Sequence, residues 1–292
     1  MTVPAEAFPT VEPGVSDLEQ WRRTYRTGRA RRSTGIASAS TLVFLGVVTV
    51  AIVTSPGWDR VRQSFLNWDI AKHTFPDILR GMWLNLRVLA VAAVLIVVVG
   101  LAVAALRTLR GPVFFPLRAL AIAYVDLFRG IPLIILLYLI GFGLPGLRLQ
   151  GTPTSPVILG TLALVLTYSA YVAEVFRAGI ESVHPSQRAA ARSLGLTYRQ
   201  TLRHVVVPQA VRRVLPPLLN DFVALQKDVG LISVLGALDA VQEATIDADQ
   251  LFNFTPYVVA GLLFIVLAVP TVRLADWAGA RAARRQQASG AL

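Results

Sequence analysis

Apolar runs of about twenty residues recur along the chain and constrain its fold more than any other feature. Gly35 to Thr54 carries no charged side chain, and neither does Val88 to Leu106, which ends at Arg107, Arg110 and Arg118. A helix rises about 1.5 Å per residue, so twenty residues cross roughly 30 Å of hydrocarbon. Backbone polar groups find no water there, which leaves the helix as the conformation that satisfies them within one segment. Four further stretches follow. Ala119 to Gly143 is interrupted by Asp126 and Arg129, and Pro156 to Ala173 ends near Glu174 and Arg177. A weaker run, Val214 to Leu235, contains Asp221, Lys227 and Asp228, and Thr255 to Val272 is followed by Arg273, Arg281, Arg284 and Arg285. The expected fold class is an all-α integral membrane protein of about six transmembrane helices. Composition agrees: 15% of the 292 residues are charged, against about a quarter in soluble domains.

The arginines test the count and set the orientation. Cytoplasmic segments next to spans are enriched in Lys and Arg. If the run from Arg22 to Arg32 starts inside, then Arg107 to Arg118, the connection from Arg177 to Arg213 and the C-terminal arginines also fall inside. Both termini are then cytoplasmic. The outer segments are residues 55–80, 148–154 and 237–253, the last holding Asp239, Glu243, Asp247 and Asp249 with no Lys or Arg. The polar leader of residues 1–34 is too long for a cleaved signal, so residues 35–54 read as a retained helix. Residues 55–80, with Trp58, Trp68 and Pro76, fit either a short interfacial segment or a plain extracytoplasmic loop.

Several function classes drop out. The chain has no cysteine, and His73, His184 and His204 form no ligand pair, so no metal site is expected. The net charge of +11 flanks the apolar runs instead of covering one soluble face, which argues against a nucleic-acid partner and for lipid phosphates. No G-x-x-x-x-G-K-[ST] loop is present, so ATP hydrolysis by the usual phosphate loop is excluded.

The long inner connection carries the most information. From Ser186 to Ala210 it reads as two short helices joined at Gly195, with an alanine-rich start and Pro208 near the far end. Arg188, Arg192, Arg199 and Arg203 would share an arc of about 60° on one continuous helix. Such a helix fits lipid phosphates or a soluble partner equally well. Within the spans, Asp126 with Arg129 and Glu174 with Arg177 are spaced for ion pairing on one face. Asp221, Gln226, Lys227 and Asp228 lie in the weakest span, near Gly230 and Gly236. Charges in hydrocarbon are costly and tend to face a pathway or each other, so these four are the candidate substrate pathway.

The inner connection resembles the cytoplasmic EAA loop of ATP-binding-cassette importer permeases, in particular the polar amino-acid family serving histidine, glutamine, glutamate, arginine and opines. Gln187, Ala190, Ala191, Leu194 and Gly195 match its G-Q-x-E-A-A-x-x-L-G pattern, and Pro208, Gln209 and Ala210 match the later Pro-Gln-Ala. Ser186 stands where Gly is usual and Ala189 where Glu is usual. Tyr124 to Leu133 is similar to the family's Tyr-x-Glu-x-Phe-Arg-Gly-Thr-Pro-Leu, Ser169 to Ile180 to its segment entering the loop, and Lys227 to Leu231 to its Lys-Asp-Thr-Ser-Leu.

The resemblance implies a type I importer permease fold, with a five-helix core over residues 81–281, a coupling loop at 182–212, one additional N-terminal helix and a cytoplasmic tail at 282–292. It implies Gln187, Ala189, Ala190, Ala191, Leu194, Gly195 and Pro208 as the coupling surface. The implied partners are a second permease chain, a dimer of cytoplasmic ATPases that hold ATP and Mg, and an extracytoplasmic binding protein that delivers a small polar amino acid or an opine-like solute. The acidic segment 237–253 would serve as that protein's landing surface or as a solvated loop. No cofactor is expected on this chain and no enzymatic role. An ATP-independent transporter or channel would explain the spans but not the inner loop.

Overall fold

The computed structural model describes residues 17–109 and 111–289, with side chains described for 33–109 and 111–281. The clusters Arg22 to Arg32 and Arg284 to Arg285, and Arg110, lie outside the residues whose side chains are described. Every regular element among the described residues is helical. The chain divides into two compact units at Arg62. In the first, α1 (Asp17–Val53) contains the apolar stretch Ser33–Val53, long enough to cross a bilayer.

The short α2 (Trp58–Phe65) spans the boundary, and the second unit continues with α3 (Trp68–Thr108). Asn67 starts α3, its side-chain oxygen accepting from the backbone N–H of Asp69 and Ile70 at 3.1 and 3.3 Å. The 41-residue α3 is about 60 Å long, so the apolar run Val88 to Leu106 is the second half of a helix that the preceding twenty residues begin. Pro76 lies inside it without ending it.

The third apolar stretch is not one rod. It forms α4 (Phe115–Gly130) and α5 (Leu133–Tyr138), which turn by 105° at Ile131–Pro132. Pro132 has no N–H to continue the ladder and pushes the residue before it out of the helical region; Ile131 is extended there, at ψ 128°. A π-helical turn (Leu139–Gly143) and the short α6 (Leu144–Gly146) follow.

The fourth span is α7 (Pro156–Glu181). The inner connection holds α8 (Pro185–Ser193) and α9 (Tyr198–Thr201), and a π-helical turn (Leu202–Val206) leads into α10 (Val207–Asp228). A 3₁₀ segment, Val229–Leu235, ends α10 at Gly236, whose φ of +82° favours glycine.

The acidic segment 237–253 is not a loop. It forms α11 (Ala240–Leu251), before α12 (Thr255–Ser289). Asp239 is fully buried as the α11 N-cap, accepting from Val241 and Gln242 at 3.1 and 2.9 Å. Four N–H groups at any helix start need acceptors, and this carboxylate serves two of them, so it does not belong to an outer landing surface.

The core forms where α3, α7 and α10 meet, with Leu89, Ala92 and Ile96 packed against Leu164, Val165, Val172 and Leu225. Membrane helices approach closely through small residues. A side chain on Gly100 would strike Val172, one on Gly160 would strike Ile232, and one on Gly81 would meet the Asp239 backbone at 2.4 Å. Backbone yields less than a side-chain tip. Gly81→Ala is therefore expected to destabilise the chain by about 1–3 kcal/mol, read as a lower Tm in detergent. Gly261→Ala, with open space around it, should leave Tm unchanged.

Candidate translocation site and coupling loop

Three helices converge on a polar cavity of about 360 Å³ lined by Arg129, Thr167, Tyr168, Tyr171, Asp221 and Asp228. The break after α4 opens it: Gly130, Ile131 and Pro132 form one wall, where a continuous helix would fill the space. Tyr168 is the thirteenth of the 26 residues of α7, so the cavity lies near half-depth of that span. Asp221 and Asp228 are seven residues apart on α10, two helical turns, and share one face.

The cavity holds both signs of charge, and its polar groups are only partly matched. The Tyr168 hydroxyl donates to Asp228 Oδ2 at 2.7 Å. The Arg129 guanidinium lies over the Tyr171 ring, 5.5 Å from its centroid. Asp221 Oδ2 and Thr167 Oγ1 are buried without a hydrogen-bond partner. Buried polar atoms are nearly always satisfied, so two such atoms set this cavity apart from the packed core around it.

The four pathway candidates therefore divide. Asp221 and Asp228 line the cavity. Gln226 is 1% exposed, with both amide atoms unpartnered in the interior, and Lys227 is exposed on another face. A step of 100° per residue separates neighbours that a linear reading groups together.

The two expected ion pairs also divide. Asp126 and Arg129 form no salt bridge among the described residues; Arg129 turns to Tyr171 and the cavity instead. Glu174 and Arg177 do pair, within a larger network. Arg107 at the end of α3 donates to Glu174 at 2.7 Å, and Arg177 bonds both Glu174 and Glu181. This network ties the C-terminal end of α3 to the C-terminal part of α7.

A second buried network escaped the sequence reading. Asn85, with no exposure, donates to Asp239 Oδ2 at 2.9 Å and to the Val229 carbonyl at 3.2 Å, and accepts from Ala240 N–H at 3.0 Å. It joins α3 to the end of α10 and the start of α11. The sequence signal was a lone Asn in an apolar helix, whose amide must find partners.

In the connection between α7 and α10, α8 and α9 meet at Gly195, with φ +82°. Gly195 N–H bonds the Arg192 carbonyl at 2.9 Å and Leu196 N–H the Ala191 carbonyl at 3.2 Å, a helix-ending pattern that suits glycine. Thr197 and Gln200 then start α9 with a capping box. Ala191 faces inward, while Gln187, Ala189, Ala190 and Pro208 are exposed and Leu194 is 83% exposed. Arg188 and Arg213 donate to the carbonyls of Ile180 and Ser182, holding the loop to the end of α7. The turn at Gly195 divides the arginine stripe expected of one continuous helix.

Residues 111–284 match the family model described as the inner membrane component of binding-protein-dependent transport systems. The chain belongs to that family. It is an ABC-type permease subunit, a multi-pass membrane protein of the inner membrane. Over 208 residues, 70% of this chain and 93% of the relative, it is 38% identical to a Bacillus subtilis protein named "Probable glutamine ABC transporter permease". It is 31% identical to the arginine transport system permease of the same organism, over 66% of this chain and 86% of that one. The crystal structure of an amino acid ABC transporter with histidines superposes with a TM-score of 0.66 at 32% identity, covering 73% of this chain and 97% of that one. A methionine ABC transporter in an inward-facing conformation, 22% identical with a TM-score of 0.57, shares the fold.

The network at the inner ends supplies a test. Glu174→Gln leaves Arg107 and Arg177 facing each other without their shared carboxylate. Hydrogen bonds to charged groups contribute about 1.5–3 kcal/mol each, so the permease should lose roughly that much stability, seen as a lower Tm. Glu174→Asp should recover part of it.

Proposed function

We propose that this permease forms half of the pore of an ATP-driven importer of small polar amino acids, and that the cavity between α4, α7 and α10 is where the solute crosses. The observation that carries this reading is the buried, unpartnered Asp221 carboxylate oxygen beside Arg129 and Asp228 at half-depth of the span. A zwitterion entering hydrocarbon must exchange hydration for groups of both signs, and this cavity offers two carboxylates, a guanidinium and two tyrosines. Transport sites of membrane carriers lie near mid-bilayer where helices are interrupted, as α4 is here. The glutamine and arginine relatives carry amino acids in their names, which supports the solute class.

In this reading a dimer of cytoplasmic ATPases, holding ATP and Mg, engages the exposed edge of α8 and α9. Ala189, Ala190 and Leu194 offer a small apolar surface edged by the polar Gln187, with Leu194 as its projecting knob, and Ala191 packs inward beneath it. The usual Glu is absent at Ala189, so contact there rests on shape and apolar burial. Closure of the ATPases pushes α8, and Gly195 keeps the turn that passes the push to α10, the helix bearing Asp221 and Asp228. A second permease chain completes the pore, a binding protein delivers solute from outside, and both termini are cytoplasmic.

Two measurements on the transporter reconstituted with its ATPase test this. Asp221→Asn should lower amino-acid uptake at least about tenfold, the loss of one charge-assisted hydrogen bond, at unchanged membrane abundance and with basal ATP hydrolysis retained. Uptake at the parent rate would remove the cavity from the pathway. Gly195→Leu places a side chain at φ +82°, at a cost of about 1–2 kcal/mol. It should leave the chain in the membrane while ATP hydrolysis no longer drives uptake.

A further inference from the structure

A second cavity, of about 460 Å³, lies beneath the inner loop and gathers Arg107 from the end of α3, Arg118 from α4 and Arg188 and Arg192 from α8. Its charges do not balance. Glu181, the carboxylate in its lining, is paired with Arg177, and Arg107 is committed to Glu174. Arg118, Arg188 and Arg192 have no carboxylate partner among the described residues. Arg118 donates to the Leu109 carbonyl at 3.2 Å and Arg188 to that of Ile180, both neutral acceptors. Two groups in the lining residues remain unfilled: Arg188 Nε and Thr201 Oγ1 are buried with no hydrogen-bond partner.

We infer that this cavity binds a phosphate group, which bridges α8 to the inner ends of α3 and α4. A guanidinium is a planar fork matched to the oxygens of carboxylate or phosphate. Three uncompensated forks from two helices, with a hydroxyl beside them, call for more acceptor oxygens than a carboxylate's two. The cavity also lies among the arginines that the positive-inside pattern assigns to the cytoplasmic ends of the spans, the side that carries anionic headgroups. The same phosphate chemistry could come from a phospholipid headgroup or from a free anion. Ala189 adds to the case: with no acidic side chain at that position, α8 brings no counter-charge of its own to the cluster. Bound phosphate would hold the loop against the bundle, so its occupancy would tune how stiffly α8 is connected to the spans.

The test uses the full chain purified with its ATPase partner. Native mass spectrometry measures retention of phosphatidylglycerol against phosphatidylcholine of the same acyl chains, and equilibrium dialysis measures binding of inorganic phosphate. One saturable site per permease chain is expected in at least one assay. Arg192→Gln and Arg188→Gln should each weaken it at least about tenfold, while Arg199→Gln, outside the cavity, should leave it intact. Arg192 is exposed, so its replacement should fold normally, as an unchanged Tm would verify. Selective phosphatidylglycerol retention without phosphate binding assigns the site to a headgroup; binding of inorganic phosphate assigns it to a soluble anion. Absence of both, or equal weakening by Arg199→Gln, would overturn the inference.

Discussion

Hydrocarbon does not solvate charge, and each polar group within the spans is arranged around that constraint. Placing a charged side chain at the centre of a spanning helix costs about 2.5–3.5 kcal/mol on insertion scales, so the groups present must have partners or a polar path. At the inner ends of α3 and α7, Glu174 answers Arg107 and Arg177 together. Where α10 gives way to α11, Asn85 and Asp239 satisfy one another and the start of α11. At the cavity beside α4, by contrast, Asp221 and Thr167 keep unpartnered oxygens, and the interior Gln226 amide on the same helix as Asp221 is unpartnered too. The Glu174 and Asn85 networks are matched within the chain, whereas the groups at this cavity are only partly so.

How far the sequence revealed this depends on the range of each interaction. The spans were legible because hydropathy is summed along the chain, and Gly195 was legible because a turn is local. Pairing was only partly so. Glu174 and Arg177, three residues apart, do meet, yet Arg107 joins them from 67 positions away. Asp126 and Arg129 have the same spacing and form no salt bridge among the described residues; Arg129, near the end of α4, lies over the Tyr171 ring of α7 instead. Spacing permits a pair on one helix; the neighbouring helix decides whether it forms.

The same reasoning explains the cavity's membership. Asp221 and Asp228 were grouped with Gln226 and Lys227 by proximity in sequence, although helical rotation sends the last two elsewhere. Arg129, Thr167, Tyr168 and Tyr171 come from other helices and had no signal tying them to Asp221. The 105° break was foreshadowed by Gly130-Ile131-Pro132, but a proline in an apolar stretch predicts a kink and not its angle. The acidic residues near 240 misled for a related reason. Charge density suggested an exposed loop, whereas Asp239 is an N-cap, one of the few uses a buried helix start has for a carboxylate.

The proposed coupling between loop and cavity needs a continuous mechanical path, and α10 is placed to supply it. Its inner end follows directly from α9 through a π-helical turn, and its outer half carries both cavity aspartates. Pro216 and Pro217 lie between, and each removes a backbone hydrogen bond and weakens the rod locally. A displacement of α8 therefore reaches Asp221 through a helix able to bend at one place. The far end is less free: beyond Asp228 the chain tightens into a 3₁₀ segment, and the Val229 carbonyl is held by buried Asn85. On the proposed function, a lever soft in its middle and fixed at its far end would turn motion of the loop into a change of shape at the cavity.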